Sequence, residues 1–157
     1  VVLLGDHGWS LGEHNFIGKH NLMKTSMHSP LIVSVPWLEG GRSASMVEFV
    51  DIYPTLAELC DLDVPENQLD GTSFLPILKN PKTKTKDNVF VQWQGGYSVV
   101  TDRFNYAEWD RGEKGKSIMI FDHKRDPKEN INQSATKRYK SKIRRLSEKI
   151  GWKKSSL

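Results

Sequence analysis

Cysteine is almost missing from this chain. A single residue, Cys60, among 157 excludes an internal disulfide and any zinc site built from several cysteines. Long apolar runs are missing too: nothing approaches the roughly 18 to 20 residues a membrane-spanning helix needs, which excludes such a span. The first residues, Val1-Val2-Leu3-Leu4, have neither a basic flank nor a small-residue cleavage site, so they do not read as a signal peptide. They read as a core strand, and a chain that opens in mid-strand is expected to be a fragment of a longer protein. Net charge is small, 23 Lys+Arg against 19 Asp+Glu, or +4, and it is unevenly placed. Between Lys137 and Lys154 nine Lys/Arg face one acid, Glu148, giving +8 and leaving the remainder with 14 bases against 18 acids, or −4.

That basic tail carries Tyr139, Ile143, Leu146 and Ile150 at spacings of four, three and four, one face of a helix, with Lys140, Lys142, Arg144 and Lys149 elsewhere around it. A docked terminal helix with a solvated basic face follows. Upstream, Val1 to Leu4 followed by Gly5, and Leu31 to Val35 between Pro30 and Pro36, read as buried strands of an α/β sheet. Asp51 is placed to cap a helix with Pro54 in its first turn, and Tyr53, Leu56, Ala57 and Cys60 share one side of it, expected to be buried. From Asp61 to Asp87 apolar periodicity thins around Pro65, Pro76 and Pro81, leaving only a short helical turn at Ser73 to Leu78. Then Val89 to Trp93, Tyr97 to Thr101, Phe104 to Trp109 and Ile118 to Phe121 alternate with glycine-rich or polar turns, the pattern of an antiparallel meander. The expected architecture is therefore an α/β portion over residues 1–80, a linker over 81–88, and a small α+β lobe over 89–157 with a four-stranded antiparallel sheet and a C-terminal helix.

The chemistry concentrates in Gly5-Asp6-His7-Gly8-Trp9-Ser10-Leu11-Gly12-Glu13-His14, with Lys19 close behind. Adjacent residues on a strand point to opposite faces, so Asp6 and His7 reach one ion only where the strand has broken into a loop, which the two glycines provide. A carboxylate beside an imidazole suits calcium, magnesium or manganese. The alternative is Asp6 capping a turn with His7 hydrogen-bonded in the loop. Two ligands do not complete a site, and Glu13 and His14 are the only candidates nearby. Lys19 adds an ammonium that can hold one oxygen of a tetrahedral oxyanion, which points to ester cleavage at sulfur or phosphorus.

These segments, with His28-Ser29-Pro30-Leu31-Ile32, Asp51-Ile52-Tyr53-Pro54-Thr55-Leu56, Leu69-Asp70-Gly71-Thr72-Ser73, Thr101-Asp102-Arg103-Phe104-Asn105-Tyr106 and Phe121 through Asn130, form an ordered series over nearly the whole chain. The series resembles the type I sulfatases of the alkaline-phosphatase superfamily, and within them the iduronate-2-sulfatase-like group. The resemblance implies that the α/β portion is the C-terminal part of an alkaline-phosphatase-like sulfatase sheet. It implies Asp6 and His7 as ligands of one calcium ion, Lys19 as the catalytic contact to the sulfate group, and Trp9 on the sugar-facing side. His28, Arg103, Asp126 and Asn130 match structural positions. The implied substrate is a sulfate ester of a sugar or glycosaminoglycan, with no nucleic-acid partner, in a periplasmic, extracellular or lysosomal setting.

The family's paired-aspartate metal segment and its Cys-x-Pro-Ser-Arg motif, whose cysteine becomes the formylglycine nucleophile, do not occur here. Cys60 is followed by Asp61-Leu62-Asp63 and does not fit that motif. The chain alone is therefore expected to be inactive, with the nucleophile in a missing N-terminal part. Two rivals stand beside this reading: a phosphodiesterase or phosphonate monoester hydrolase of the same superfamily, and a non-catalytic polyanion-binding module using the basic tail helix. Exposed strand edges at Val1–Leu4 and Leu31–Val35 are expected to drive homo-oligomerisation.

Overall fold

The computed structural model describes residues 1–64 and 68–155, with side chains through Gly151. Pro65 and the side chains of Lys153 and Lys154 lie outside the described residues. The chain divides into two compact units, Val1–Leu3 with Leu31–Val89, and Leu4–Pro30 with Phe90–Leu157. The loop carrying Asp6, His7, Trp9 and Lys19 thus groups with the antiparallel lobe. Among the described residues no helix is long and apolar enough to cross a membrane.

The first unit contains a two-stranded sheet of β1 (Val2–Leu4) and β4 (Leu31–Val33), with the Ser34 amide donating to the Val1 carbonyl at 2.8 Å. The apolar runs predict buried strands, and these strands are not buried: Val1 is 90%, Leu3 62% and Ile32 59% exposed. Two three-residue strands paired only with each other cannot cover both of their own faces. Helices α2 (Ile52–Leu59) and α3 (Leu75–Lys79) follow, and Ala57, Phe74, Leu75 and Ile77 are buried.

The expected inward side of α2 is corrected as well. Ala57 is buried, but Tyr53, Leu56 and Cys60 are exposed, and Pro54 and Thr55 point inward instead. An apolar stripe faces inward only where it meets an apolar surface, and here the closure is polar. The Thr55 hydroxyl donates to the Asp51 carbonyl at 2.6 Å and accepts the Phe74 amide at 2.9 Å. Asp51, fully buried, does not cap α2. Its carboxylate accepts the Glu48 and Thr72 amides, each at 2.8 Å, and the Lys86 ammonium at 2.6 Å.

The second unit is built on the sheet β5 (Asn88–Trp93), β6 (Gly96–Thr101), β7 (Phe104–Asp110) and β8 (Lys116–Asp122), in that spatial order. The register pairs Val99 with Tyr106 and Tyr106 with Ile120. Helix α4 (Lys140–Ser155) covers one face, and Tyr139, Leu146 and Ile150 close a core with Val99, Phe104, Tyr106 and Ile120, as the tail spacing requires. The two-residue alternation of β7 gives its faces different work. Phe104, Tyr106 and Glu108 share one face, where Glu108 accepts the Tyr106 and Ser147 hydroxyls and the Lys116 ammonium. Asn105 and Ala107 are buried on the opposite face, where the Asn105 amide meets the Leu22 carbonyl. The fold is of the expected class, mixed α/β with a four-stranded antiparallel sheet and a C-terminal helix.

Candidate functional site

The loop after β1 turns where glycine permits it. The Gly8 amide donates to the Ser26 carbonyl at 2.9 Å, and a β-carbon on Gly8 would collide with the carbonyl oxygen of Thr25. Strands β2 (Ser10–Leu11) and β3 (Ile17–Gly18) then form a short hairpin pairing Ser10 with Gly18 and Leu11 with Ile17. Extending that register brings Lys19 back beside the residues just before Ser10. A local signal, the hairpin, thereby returns a lysine 12 positions along the chain to His7.

The three charged or polar side chains expected at the site converge. His7 Nε2 lies 3.1 Å from Asp6 Oδ2 and 2.6 Å from Lys19 Nζ, while His7 Nδ1 is 2.7 Å from the Gly8 carbonyl oxygen. A carbonyl only accepts, so Nδ1 carries the hydrogen, and in the neutral ring Nε2 accepts from the Lys19 ammonium. Asp6 is largely exposed and His7 about a third so. The Trp9 ring lies 5.9 Å from the His7 ring, tilted by 37°, and is half exposed.

Glu13 and His14 do not join this group. The Glu13 carboxylate turns back to accept the Leu11 amide at 2.6 Å, and hydrogen bonds from its own and the Leu11 amide hold it below the usual carboxylate range. His14 sits in a left-handed backbone turn with φ of 58°. Among the described residues no three His, Cys, Asp or Glu side chains gather around a common point. The donor pair on this chain is one carboxylate oxygen and one imidazole nitrogen, a chemistry that fits part of a divalent-cation shell; calcium takes six to eight oxygens.

Helix α1 (Lys24–Met27) follows Leu22 and Met23, both buried, and the Asn21 side chain accepts the Met23 amide at 2.8 Å. Thr25 and Ser10 hydroxyls share a hydrogen bond of 2.8 Å. Glu129 accepts the Lys24 amide at 2.8 Å, Asn105 Nδ2 at 2.9 Å and His123 Nε2 at 2.7 Å. Those partners stand 105, 24 and 6 positions away from Glu129, so no local pattern announces them. Of the residues assigned structural roles, Arg103 forms a two-pronged pair with Asp122 at 2.9 and 2.7 Å. Asp126 accepts the Asn130 side-chain amide and the Ile131 backbone amide.

Residues 12–155 match the family described as N-sulphoglucosamine sulphohydrolase, C-terminal. The chain belongs to this family of sulfatase C-terminal regions. It is 30% identical over 147 residues to a sulfatase of Formosa agariphila, covering 93% of this chain and 28% of that protein. The structure of BT4656 in complex with its substrate D-glucosamine-2-N,6-O-disulfate superposes with a TM-score of 0.86 at 23% identity, over 98% of this chain and 33% of that one. Phosphonate monoester hydrolase of Agrobacterium radiobacter superposes with a TM-score of 0.84 at 23% identity, over 99% and 34%. At such identity the two superpositions establish the fold. The sulfatase-family chain thus spans between a quarter and about a third of the length of these proteins, and the site described above lies on its second unit.

Proposed function

We propose that this chain is the C-terminal portion of a calcium-dependent sulfatase that hydrolyses a sulfate ester of a sugar or glycosaminoglycan. The observation that carries the reading is that His7 Nε2 stands 3.1 Å from Asp6 Oδ2 and 2.6 Å from Lys19 Nζ, in a chain of this family. Asp6 and His7 would hold the cation, with the tautomer of His7 held by Gly8 so that Nε2 faces the ion. The chemistry that calcium supplies when bound is charge neutralisation at the sulfate oxygens. Lys19 donates a hydrogen bond to a sulfate oxygen and offsets negative charge on the bridging oxygen as the sulfur–oxygen bond breaks. Trp9 gives the sugar a flat apolar wall.

The remaining ligands and the formylglycine nucleophile would come from residues outside this chain, which makes the chain inactive by itself. A sulfated amino sugar is favoured by the family description and by the substrate named for BT4656. The ordered motif series supports an iduronate-2-sulfatase-like position within the family, and with it a periplasmic, extracellular or lysosomal setting.

The shared fold with a phosphonate monoester hydrolase favours one second reading, hydrolysis at phosphorus. The test uses the intact protein that carries this chain, assayed on 4-nitrophenyl sulfate and on 4-nitrophenyl phosphate and phosphonate esters. We expect preference for the sulfate ester, activity abolished by a calcium chelator and restored by calcium, and a loss of about 100-fold or more in kcat for Lys19→Met. Preference for a phosphorus ester would establish the second reading instead.

A further inference from the structure

We propose that Glu129 is a positioning residue for the Asp6, His7 and Lys19 site, fixing from behind where that site stands on the antiparallel lobe. The inference rests on the sulfatase reading only for its catalytic consequence. Glu129 is buried to 2% exposure, and its backbone is in the left-handed region with φ of 59°, an uncommon state for a residue with a β-carbon. A carboxylate in such a place costs folding energy unless donors surround it. Here three do: the Lys24 backbone amide on Oε2, and Asn105 Nδ2 and His123 Nε2 on Oε1. Burial pushes this carboxyl up, and the bonds from His123, the Lys24 amide and Asn105 outweigh it, so it lies below its ordinary value.

What the anion accomplishes is geometric. An apolar side chain of similar size would fill the space without the desolvation cost, but it would not grip an amide N–H. Asn105 Nδ2 divides its two hydrogens between Glu129 and the Leu22 carbonyl, 3.0 Å away, so Asn105 and Glu129 together hold the segment 22–28 at two backbone points, the Leu22 carbonyl and the Lys24 amide. Both halves of the site are attached to that segment. His7 follows it through the Gly8 amide on Ser26 and the Ser10 hydroxyl on Thr25. Lys19 follows it through the turn in which the Asn21 side chain accepts the Met23 amide. Loosening Glu129 therefore moves donors and ammonium together, and a displacement near 1 Å is enough to cost about 100-fold in rate.

The experiment compares Glu129→Gln, Lys24→Pro, Lys24→Ala and Asp122→Asn in the intact protein. Proline at position 24 removes the very N–H that Glu129 accepts; the site is the first residue of α1 and follows an extended Met23, where proline is tolerated. Asp122 is a comparably buried carboxylate of the same lobe whose partners Arg103, Lys124 and Tyr139 lie outside 4–30. Amide hydrogen exchange is expected to quicken by about tenfold or more across 19–28 in Glu129→Gln and Lys24→Pro, with β6 to β8 still protected, and to stay at the native rate there in Lys24→Ala and Asp122→Asn. On 4-nitrophenyl sulfate the first pair should lose about tenfold or more in kcat with KM within about threefold. Native exchange across 19–28 in Lys24→Pro, or equal quickening in Asp122→Asn, overturns the proposal, even if Glu129→Gln does not fold. A native protein inactive on the sulfate ester would refute the sulfatase reading, while the exchange result would still decide the role of Glu129.

Discussion

Position 8 has no room for a methyl group. A β-carbon there would collide with the Thr25 carbonyl oxygen and stand 2.9 Å from that of His28, so Gly8→Ala must push the loop off the 22–28 segment and carry His7 away from Lys19. We expect a cost of about 1–3 kcal/mol, read as a lowered Tm, together with faster exchange of the Gly8 amide. Asp122 is decisive in another way. The Arg103 guanidinium, against the penalty of burial and with help from the Tyr139 hydroxyl, holds its carboxyl well below the usual carboxylate range. A depressed folded value means stability that is complete above the unfolded value of about 3.9 and lost as pH falls toward the folded one. Asp122→Asn should therefore lower Tm at pH 7, and the gap to the native chain should narrow as pH drops below about 4, as followed by circular dichroism. Two adjacent residues, Asp6 and His7, were legible as a pair because chemistry and glycine spacing coincide there. Glu129 was not, because its partners come from three separate stretches of chain.

Helix α4 and strand β7 show how far periodicity reaches. In α4 the apolar spacing had an apolar surface to meet, and Tyr139, Leu146 and Ile150 are buried as it requires. Ile150→Ala should cost about 2–5 kcal/mol through the cavity it leaves, whereas Lys142→Ala on the exposed side should stay within about 0.5 kcal/mol; urea titration separates the two. In α2 the same kind of spacing pointed outward, because Asp51 and Thr55 had already committed the helix to polar partners in the turn before α3. Strand β7 is buried on both faces, a state that alternation alone does not announce, since its second face meets loop residues and not a helix. The β2–β3 hairpin lies between these cases: two two-residue strands give little periodic signal, yet their register delivers Lys19 to His7.

For the molecule as a whole, the exposed Val1, Leu3 and Ile32 in and beside two short strands present apolar surface at a two-stranded sheet, a combination that promotes strand-to-strand association. The chain by itself is expected to dimerise or aggregate with rising concentration in light scattering, and Leu3→Lys with Ile32→Lys should shift it toward monomer; a monomeric native chain at high concentration would contradict this. Patterns carried by neighbours in sequence, namely the meander, the tail helix, the broken strand at Gly5 and the acid–imidazole pair, were readable from the residues alone, because each depends on spacing within a few positions. Folding settled the rest: which side of α2 turns inward, that Glu13 and His14 stay apart from the donor pair, and that the segment 22–28 is held to the lobe by Glu129 and Asn105. These depend on groups up to 105 positions apart competing for the same hydrogen bonds and the same buried surface, and that competition is resolved only when the chain is packed.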